Sequence, residues 1–397
     1  MEFQLSDKAK DYIARTKAFI ETEIEPIEAE FWQAAHKLNP TGDWTTWQWP
    51  AKLEELKTKA RAQNLWNMFL PDEQLGQGLS VQEYAHIAEL SGRSLIAPHV
   101  FNCNAPDSGN MELIWRYGND AQKQQWLTPL LAGEIRSVFG MTEPAVASSD
   151  ATNMQATAIV EGDEIVLNGR KWWSSGLGDP NAKLIIFMAH TPDESKDRHH
   201  QHTMVLVPID AKGVKIERML KVFNDYDAPH GHGEMRFDNV RVPLSNVIGG
   251  AGEGFAIAQG RLGPGRIHHC MRCIGAAEKS LELAIDRGLS RSAFGKPLLD
   301  LGGNRERIAD ARVKIDQARL LTLYAAYKMD KLGTKAALTE ISAIKVVAPT
   351  VLQEVVDMAI QLHGGMGVSQ DTLLPMFFNQ ARSLRLADGP DEVHKGM

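Results

Sequence analysis

The 397-residue sequence has only three cysteines, Cys103, Cys270 and Cys273, which are too few for a disulfide framework. Cys270 and Cys273 lie in an apolar run with helical spacing, so we interpret them as small hydrophobic residues on a buried helix face. The sequence also lacks a basic surplus, because 43 Lys and Arg face 50 Asp and Glu, for a formal charge of −7. This balance argues against binding to duplex nucleic acid, although it does not exclude a local basic site for a phosphorylated ligand.

Long hydrophobic runs are missing as well. No stretch of 18 apolar residues occurs, so no membrane span is predicted. The first residues, Met1-Glu2-Phe3-Gln4, have neither the basic nor the apolar region of a secretory signal. We therefore expect a protein of the bacterial cytoplasm, or of an organelle matrix if a targeting segment has been removed.

Several signatures of nucleotide binding and hydrolysis are absent. A G-x-G-x-x-G fingerprint starting at Gly250 would need glycine where Phe255 stands, and one starting at Gly176 would need it where Asn181 stands. A Rossmann nicotinamide site is therefore disfavoured. No Walker A, H-E-x-x-H or G-x-S-x-G sequence occurs. We interpret His199, His200 and His202 as part of a solvated loop, and no metal site is predicted.

The texture of the sequence changes twice along the chain. Residues 1–135 have helical spacing, beginning with Ser6 as a plausible N-cap. Residues 136–250 have sequence patterns typical of strands. They include a predicted hairpin over 157–167 that turns at Gly162-Asp163, and a second hairpin signal at Asn168-Gly169. Residues 251–397 return to long helical patterns, such as the apolar 3–4 spacing over 341–362. This segregated order predicts an α+β fold without βαβ units.

Four further segments are not explained by structure alone: Phe139-Gly-Met-Thr-Glu-Pro144 with Ser148-Ser149, Gly169-Arg-Lys-Trp-Trp-Ser-Ser175, Arg291-Ser-Ala-Phe-Gly-Lys-Pro297, and Gln361-Leu-His-Gly-Gly-Met-Gly367 with Ala387-Asp-Gly-Pro390. In this order and spacing they resemble the acyl-CoA dehydrogenase family of flavoproteins over nearly the whole chain. The tail Ala387–His394 is similar to the family branch of members 10 and 11. The resemblance implies an N-terminal helical domain (1–135), a central β-barrel or sandwich domain (136–250) and a C-terminal four-helix bundle (251–397).

The resemblance also implies an FAD site. Thr142 would bond the flavin, the indole of Trp173 would cover a ring face, and the Ser175 hydroxyl would reach the N5 side. Arg291 and Phe294 would contact the FAD of a neighbouring subunit, with the guanidinium on the pyrophosphate. The remaining residues implied as cofactor contacts are Phe139, Met141, Ser149, Gln361, Gly364, Gly365, Pro390 and Glu392.

The implied chemistry is α,β-dehydrogenation of an acyl-CoA to a trans-2-enoyl-CoA, as in fatty acid β-oxidation. Asp388 would be the base that removes the α-proton, because it occupies the family's position for a carboxylate. Asp391 and Glu392 are nearby carboxylates whose offset does not match that position. The residues implied to contact the substrate are Ser149, Gly263, Arg266, Asp388 and Gly389, with Ser148 as the alternative in the neighbouring register.

The resemblance further implies a homodimer or homotetramer, because two FAD contacts come from a neighbouring subunit. An electron-transferring flavoprotein is the expected electron acceptor. Two alternatives stay open: an enzyme on the same fold that resembles nitroalkane oxidase, and a non-catalytic oligomeric scaffold.

Overall fold

The computed structural model describes residues 4–193 and 195–397. These described residues form two compact units. The first unit comprises the described residues up to Trp32 together with Lys52–Phe101 and Gly263–Met397, and the second comprises Gln33–Ala51 and Asn102–Leu262. Helices from both ends of the chain therefore belong to one unit. The division into three domains at 135 and 250 stays a prediction.

The helices in chain order are α1 Asp7–Phe19, α2 Glu28–Leu38, α3 Lys52–Ala62, α4 Val81–Gly92, α5 Ala97–Val100, α6 Asp107–Tyr117, α7 Asp120–Gln122, α8 Thr128–Ala132, α9 Gly254–Ser290, α10 Asn304–Leu332, α11 Leu338–His363, α12 Leu374–Leu384 and α13 Asp391–Gly396. The strands are β1 Arg136–Gly140, β2 Thr157–Glu161, β3 Glu164–Ser175, β4 Ala182–His190, β5 His202–Pro208, β6 Val214–Leu220, β7 His232–Pro243, β8 Ser292–Ala293 and β9 Lys296–Pro297.

The first unit is helical, as its periodicity predicts. Ser6 caps α1, since its hydroxyl accepts a hydrogen bond from the backbone N–H of Ala9 at 3.1 Å. In α11 the predicted apolar stripe is buried, including Ile341, Ile344 and Ala348. This helix packs against α10 and α12, and α10 also packs against α4. The sequence signals for the helices are confirmed because each reports a local period.

Two glycines allow α4 and α9 to touch along their backbones. A Cβ atom on Gly275 would lie 1.9 Å from the carbonyl oxygen of Glu89, and one on Gly92 would lie 2.2 Å from the carbonyl oxygen of Arg272. Neither position can accept a side chain unless the backbones move apart. The close approach fixes the register of these two helices.

The second unit is built around a sheet. Within the described residues, the sheet has seven strands. Six follow the order β1-β4-β2-β3-β7-β6, and the seventh, β5, pairs with β4. The pair β1 and β4 is parallel, whereas β2–β3, β3–β7, β6–β7 and β4–β5 are antiparallel. The inward-facing residues form one core that includes Val138, Leu167, Phe187 and Phe237. The fold is thus α+β, as predicted.

Two details of the sequence analysis are wrong. Asn168-Gly169 does not turn the chain, because β3 continues through both residues and the register with β7 shifts between Leu167 and Gly169. A Cβ on Gly169 would lie 2.5 Å from the Cβ of Ala156. The glycine therefore lies in a β-bulge and not in a hairpin turn. His202 is buried at the start of β5 and is not part of the solvated loop, although His199 and His200 are exposed.

The interpretation of Cys270 and Cys273 as buried residues of α9 is confirmed, and burial raises the pKa of the Cys270 thiol to about 12. Within residues 4–193 and 195–397, no group of His, Cys, Asp and Glu side chains is arranged to hold a metal ion. None of the helices in the same residues combines the length and apolarity needed to cross a bilayer.

Candidate functional site

The predicted site residues are divided between the two units, and each group is described by itself. The second unit holds Phe139, Met141, Thr142, Ser149, Trp173 and Ser175. The first unit holds Gly263, Arg266, Arg291, Phe294, Gln361, Gly364, Gly365, Asp388, Gly389, Pro390 and Glu392.

In the second unit, a buried ion pair fastens the loop that follows β1. The Nζ of Lys171, on β3, lies 2.8 Å from Oε1 of Glu143 and donates to the carbonyl of Met141 at 2.9 Å. The Glu143 carboxylate also accepts the backbone N–H groups of Gln155 at 2.8 Å and Ala156 at 3.0 Å. Burial lowers the pKa of Lys171 to about 8, against the opposing effect of Glu143. Met141 is therefore held at a fixed place beside β3.

Thr142 and the serine pair belong to the same loop. The carbonyl of Thr142 accepts the backbone N–H of Trp172 at 3.0 Å, and the side chain of Thr142 is half-buried. The hydroxyl of Ser148 accepts the backbone N–H of Glu143 at 2.8 Å, whereas Ser149 is exposed. Ser148 thus has a structural role in closing the loop, and the contact of Ser149 with a ligand stays a prediction.

Trp173 is displayed by a bulge in β3. The register with β7 shifts between Lys171 and Ser174, and Trp173 has a φ of 51°, which a bulky residue rarely adopts. Its side chain is 42% exposed. An exposed indole on strained backbone is not a core residue, and its contact with the flavin ring stays a prediction.

Ser175 and Phe139 are the last two predicted site residues of the second unit. The hydroxyl of Ser175 lies 2.9 Å from Nδ1 of His232, the residue directly opposite on β7. Phe139 lies beneath the guanidinium of Arg261, which is 4.0 Å from the ring centroid.

In the first unit, Asp388 lies in the turn between α12 and α13. Its φ is 56° and that of Gly389 is 102°, so the chain turns through two residues in the left-handed region. The second of these positions requires glycine, because a Cβ there would lie 2.8 Å from Nε2 of His394. The turn is therefore specified by the pair Asp388-Gly389 itself.

Three cationic or imidazole side chains hold this turn. The carbonyl oxygen of Asp388 accepts from Nε of Arg266 at 3.2 Å and from Nε2 of His394 at 3.1 Å. Lys345, buried in α11, donates to the carbonyl of Leu384 and, at 3.4 Å, to that of Gly389. Burial and the nearby Arg266 lower the pKa of His394 to about 4, so its ring is neutral near pH 7 and donates as Nε2–H.

The carboxylate of Asp388 lies beside the imidazole of His269. Its Oδ2 lies 3.6 Å from Nε2 of His269, and its side chain is 25% exposed. Sequence reasoning missed His269, His394 and Lys345. Only His269 had a usable signal, because it lies three residues after Arg266 and so shares its face of α9.

Most of the other predicted residues of the first unit lie at its surface. Arg291 is exposed at the end of α9, and Phe294 is 95% exposed with a φ of 52° in the turn of the β8–β9 hairpin. Gly364, with a φ of 64°, ends α11, and the Cβ positions of Gly364 and Gly365 face open space. The remaining positions are exposed Gln361 and Glu392, half-buried Pro390, and buried Gly263.

Comparisons with known proteins agree over nearly the whole chain. Models of the N-terminal, middle and C-terminal domains of acyl-CoA dehydrogenases match residues 6–134, 138–240 and 252–397. The probable acyl-CoA dehydrogenase FadE2 of Mycobacterium tuberculosis is 50% identical over 396 residues, covering 99% of this chain and 95% of the relative. A solved structure from Mycobacterium abscessus assigned to the same family has a TM-score of 0.96 and 57% identity, and the match covers 99% of this chain and 97% of that one.

Longer relatives also match. Acyl-CoA dehydrogenase family member 11 of Gallus gallus is 50% identical over 393 residues, covering 99% of this chain and 50% of the relative. For family member 10 of Mus musculus, also 50% identical, the match covers 98% of this chain and 36% of the relative. The chain thus spans half or less of the length of these relatives. The predicted family, its branch and FAD as the family's cofactor are confirmed. This chain belongs to the acyl-CoA dehydrogenase family.

Proposed function

We propose that this chain oxidises an acyl-CoA thioester to a trans-2-enoyl-CoA with FAD as its cofactor and Asp388 as its base. The observation that carries the proposal is the turn at Asp388. Its backbone is fixed through the carbonyl oxygen by Arg266 and His394, while its carboxylate stays partly exposed. A general base needs this combination of a defined position and access to the substrate proton.

The side chains present fit FAD. Thr142 and Ser175 offer hydroxyls and Trp173 offers an exposed aromatic face, which suit the polar edge and the ring of a flavin. By the resemblance, the open space beside Gly364 and Gly365 would let the FAD of a neighbouring subunit approach the backbone. Bound FAD would accept the β-hydrogen of the substrate as hydride at N5. Arg291 would hold the pyrophosphate with its planar fork of donors.

Asp388 would remove the α-proton, which is too weakly acidic for a carboxylate to take from an unactivated thioester. Its backbone N–H would donate to the thioester carbonyl, and this stabilises the negative charge that develops there. Arg266 and His394 bind the Asp388 carbonyl and so keep the backbone of this residue in place during the transfer. The shorter aspartate, compared with the glutamate usual in the family, requires the substrate to lie closer to the backbone.

We further propose a homodimer or homotetramer. Phe294 is 95% exposed at the tip of a hairpin, and contact with a second subunit would remove its ring from water. The resemblance assigns Phe294 and Arg291 to a neighbouring subunit's FAD, and an electron-transferring flavoprotein as the acceptor. Gel filtration with light scattering tests the assembly, and a monomer that retains FAD contradicts this part. The cytoplasm or an organelle matrix stays the predicted compartment.

The test of the activity is anaerobic reduction of the bound flavin. Acyl-CoA thioesters of increasing chain length should bleach the flavin, whereas nitroethane should not. Bleaching by nitroethane alone would favour the nitroalkane-oxidase alternative, and a protein purified without FAD would revive the scaffold alternative. Asp388→Asn should retain FAD but slow the reduction by roughly 10²- to 10⁴-fold, because an amide cannot accept the proton.

The matched control is Asp371→Asn, which changes an exposed carboxylate between α11 and α12. This variant should be reduced at the wild-type rate. Rapid reduction of Asp388→Asn would exclude Asp388 as the base and direct the search to Glu392.

A further inference from the structure

Ser175, His232 and Asp227 form a continuous chain of polar contacts in the second unit. The hydroxyl of Ser175 lies 2.9 Å from Nδ1 of His232, and Nε2 of His232 lies 3.3 Å from Oδ2 of Asp227. Ser175 ends β3 and His232 begins β7, and the two are direct partners in the sheet register. The first contact is therefore set by the sheet.

The second contact comes from a loop that is braced by its own hydrogen bonds. Asp227 has a φ of 54°, its backbone N–H donates to the side chain of Asp225 at 3.2 Å, and its carbonyl accepts the N–H of Gly231 at 2.8 Å. An aspartate in the left-handed region is uncommon outside tight turns. Here the conformation directs the carboxylate toward the imidazole.

We propose that His232 and Asp227 are positioning residues that set the direction of the Ser175 hydroxyl beside the flavin. This inference rests on the proposed function, because it takes Ser175 as the neighbour of flavin N5. A carboxylate beside Nε2 favours the tautomer with the proton on Nε2. The Nδ1 lone pair then faces Ser175, so the hydroxyl donates to His232 and presents its oxygen lone pairs outward as an acceptor.

Protonation of His232 reverses this direction. With a proton on both ring nitrogens, Nδ1–H donates to the Ser175 oxygen, and the hydroxyl hydrogen is free to point outward as a donor. Oxidised N5 accepts a hydrogen bond and reduced N5–H donates one. The neutral form of His232 therefore favours reduced flavin, and the protonated form favours oxidised flavin.

The charged and titratable groups around His232 are few enough to name. Asp227 contacts its Nε2, and the ring of His230 lies 6.1 Å away, with Asp179 and Asp107 acting on His230 in turn. Burial lowers the pKa of His230, against the opposing charge of Asp227, so His230 is neutral near pH 7. On the β3 side stand Ser175 and the indole of Trp173, and on the β6 side His232 is paired with Leu220.

The test is an equilibrium redox titration of the FAD-loaded enzyme against a reference dye, from pH 5.5 to 8.5, without any acyl-CoA. In the wild type the ratio of reduced to oxidised flavin should depend less steeply on pH than in His232→Asn, because reduction releases a proton from His232. Asp227→Asn should bring this pH dependence closer to that of His232→Asn, because the carboxylate that keeps the proton on Nε2 is gone. The ratio of reduced to oxidised flavin should differ between the wild type and His232→Asn by up to about tenfold, which is the effect of one hydrogen bond.

Ser175→Ala tests whether His232 acts on the flavin through the Ser175 hydroxyl. In that background His232→Asn should change the titration little, because the hydroxyl that transmits its protonation state is gone. Asp238→Asn, an exposed position on β7, is the control and should match the wild type. An equal or steeper slope in the wild type, or an undiminished His232 effect without Ser175, would overturn the proposal. Failure of every acyl-CoA to bleach the flavin would instead contradict the proposed function, which this titration does not use.

Discussion

Arg266 donates from Nε to the backbone carbonyl of Asp388 at 3.2 Å, so the residue predicted to contact the acyl-CoA also supports the backbone of the proposed base. Arg266 is buried, and the contact joins α9 to the turn between α12 and α13. Since Arg266 binds the carbonyl, the contact fixes the backbone of Asp388, whose side chain is 25% exposed.

Arg266→Ala should retain FAD and slow anaerobic flavin reduction by on the order of 10- to 100-fold, because small displacements of a catalytic group carry penalties of this size. Arg266→Lys should recover part of the rate, since an ammonium can still donate to the Asp388 carbonyl. Stopped-flow absorbance measures both. Asp286→Asn, an exposed change on α9, is the control. A wild-type rate in Arg266→Ala would show that His394 and Lys345 suffice to hold the turn.

Arg291→Ala should weaken FAD binding by roughly tenfold or more, the usual range for a hydrogen bond to a charged group. The flavin absorbance per protomer after gel filtration at low protein concentration measures the loss. Lys296→Ala removes an exposed charge from the same hairpin and should leave the flavin content unchanged. Full retention of FAD by dilute Arg291→Ala would remove Arg291 from the cofactor site.

The stability of the first unit should depend on pH through Glu28. Burial raises the pKa of this carboxyl to about 7, although it accepts the backbone N–H of Leu95 at 2.8 Å. The folded chain thus binds this proton more tightly than the unfolded chain, whose carboxyl has an ordinary pKa near 4.5. Protonation of Glu28 therefore adds to the free energy of unfolding below pH 4.5, and this stabilisation is lost as the pH rises to 7. The change is about 3 kcal/mol.

Glu28→Gln keeps an acceptor for Leu95 but cannot ionise. The difference in the free energy of unfolding between variant and wild type should therefore shift in favour of the variant between pH 4.5 and 7. Urea titrations at several pH values measure this difference. Glu30→Gln, exposed on the same helix, should give no such trend. A constant difference between Glu28→Gln and the wild type over this range would contradict the raised pKa.

Lys171→Met should destabilise the protein by about 3–5 kcal/mol, because the carboxylate of Glu143 would be left buried without its cation. Adding Glu143→Gln should restore part of this loss, since no unpaired charge stays buried, although the two N–H groups of Gln155 and Ala156 bond to different carboxylate oxygens and the amide supplies only one oxygen. Thermal unfolding measures the stability of each variant, and the flavin content reports the position of Thr142. If the double variant is as unstable as the single one, the ion pair is not the reason for the loss.

The sequence by itself determined the helices and most strands, because each leaves a local period. The apolar spacing over residues 341–362 corresponds to α11, and the Gly162-Asp163 turn joins β2 to β3. The hairpin predicted at Asn168-Gly169 was wrong, because this turn signal lies inside a strand. A dipeptide cannot report that Ala156 lies against Gly169, because that contact belongs to the sheet.

The motifs named Asp388, but only the tertiary structure decided what surrounds it. Arg266 is 122 residues from Asp388 in sequence and Lys345 is 44 residues from Gly389, and no periodicity links positions so far apart. The same holds for Ser175 and His232, which meet because β3 and β7 pair in one particular register. Residue type and spacing fix local conformation and candidate chemistry. The partners of each reactive group depend on which elements pack together, since burial and close backbone approach act between distant parts of the chain.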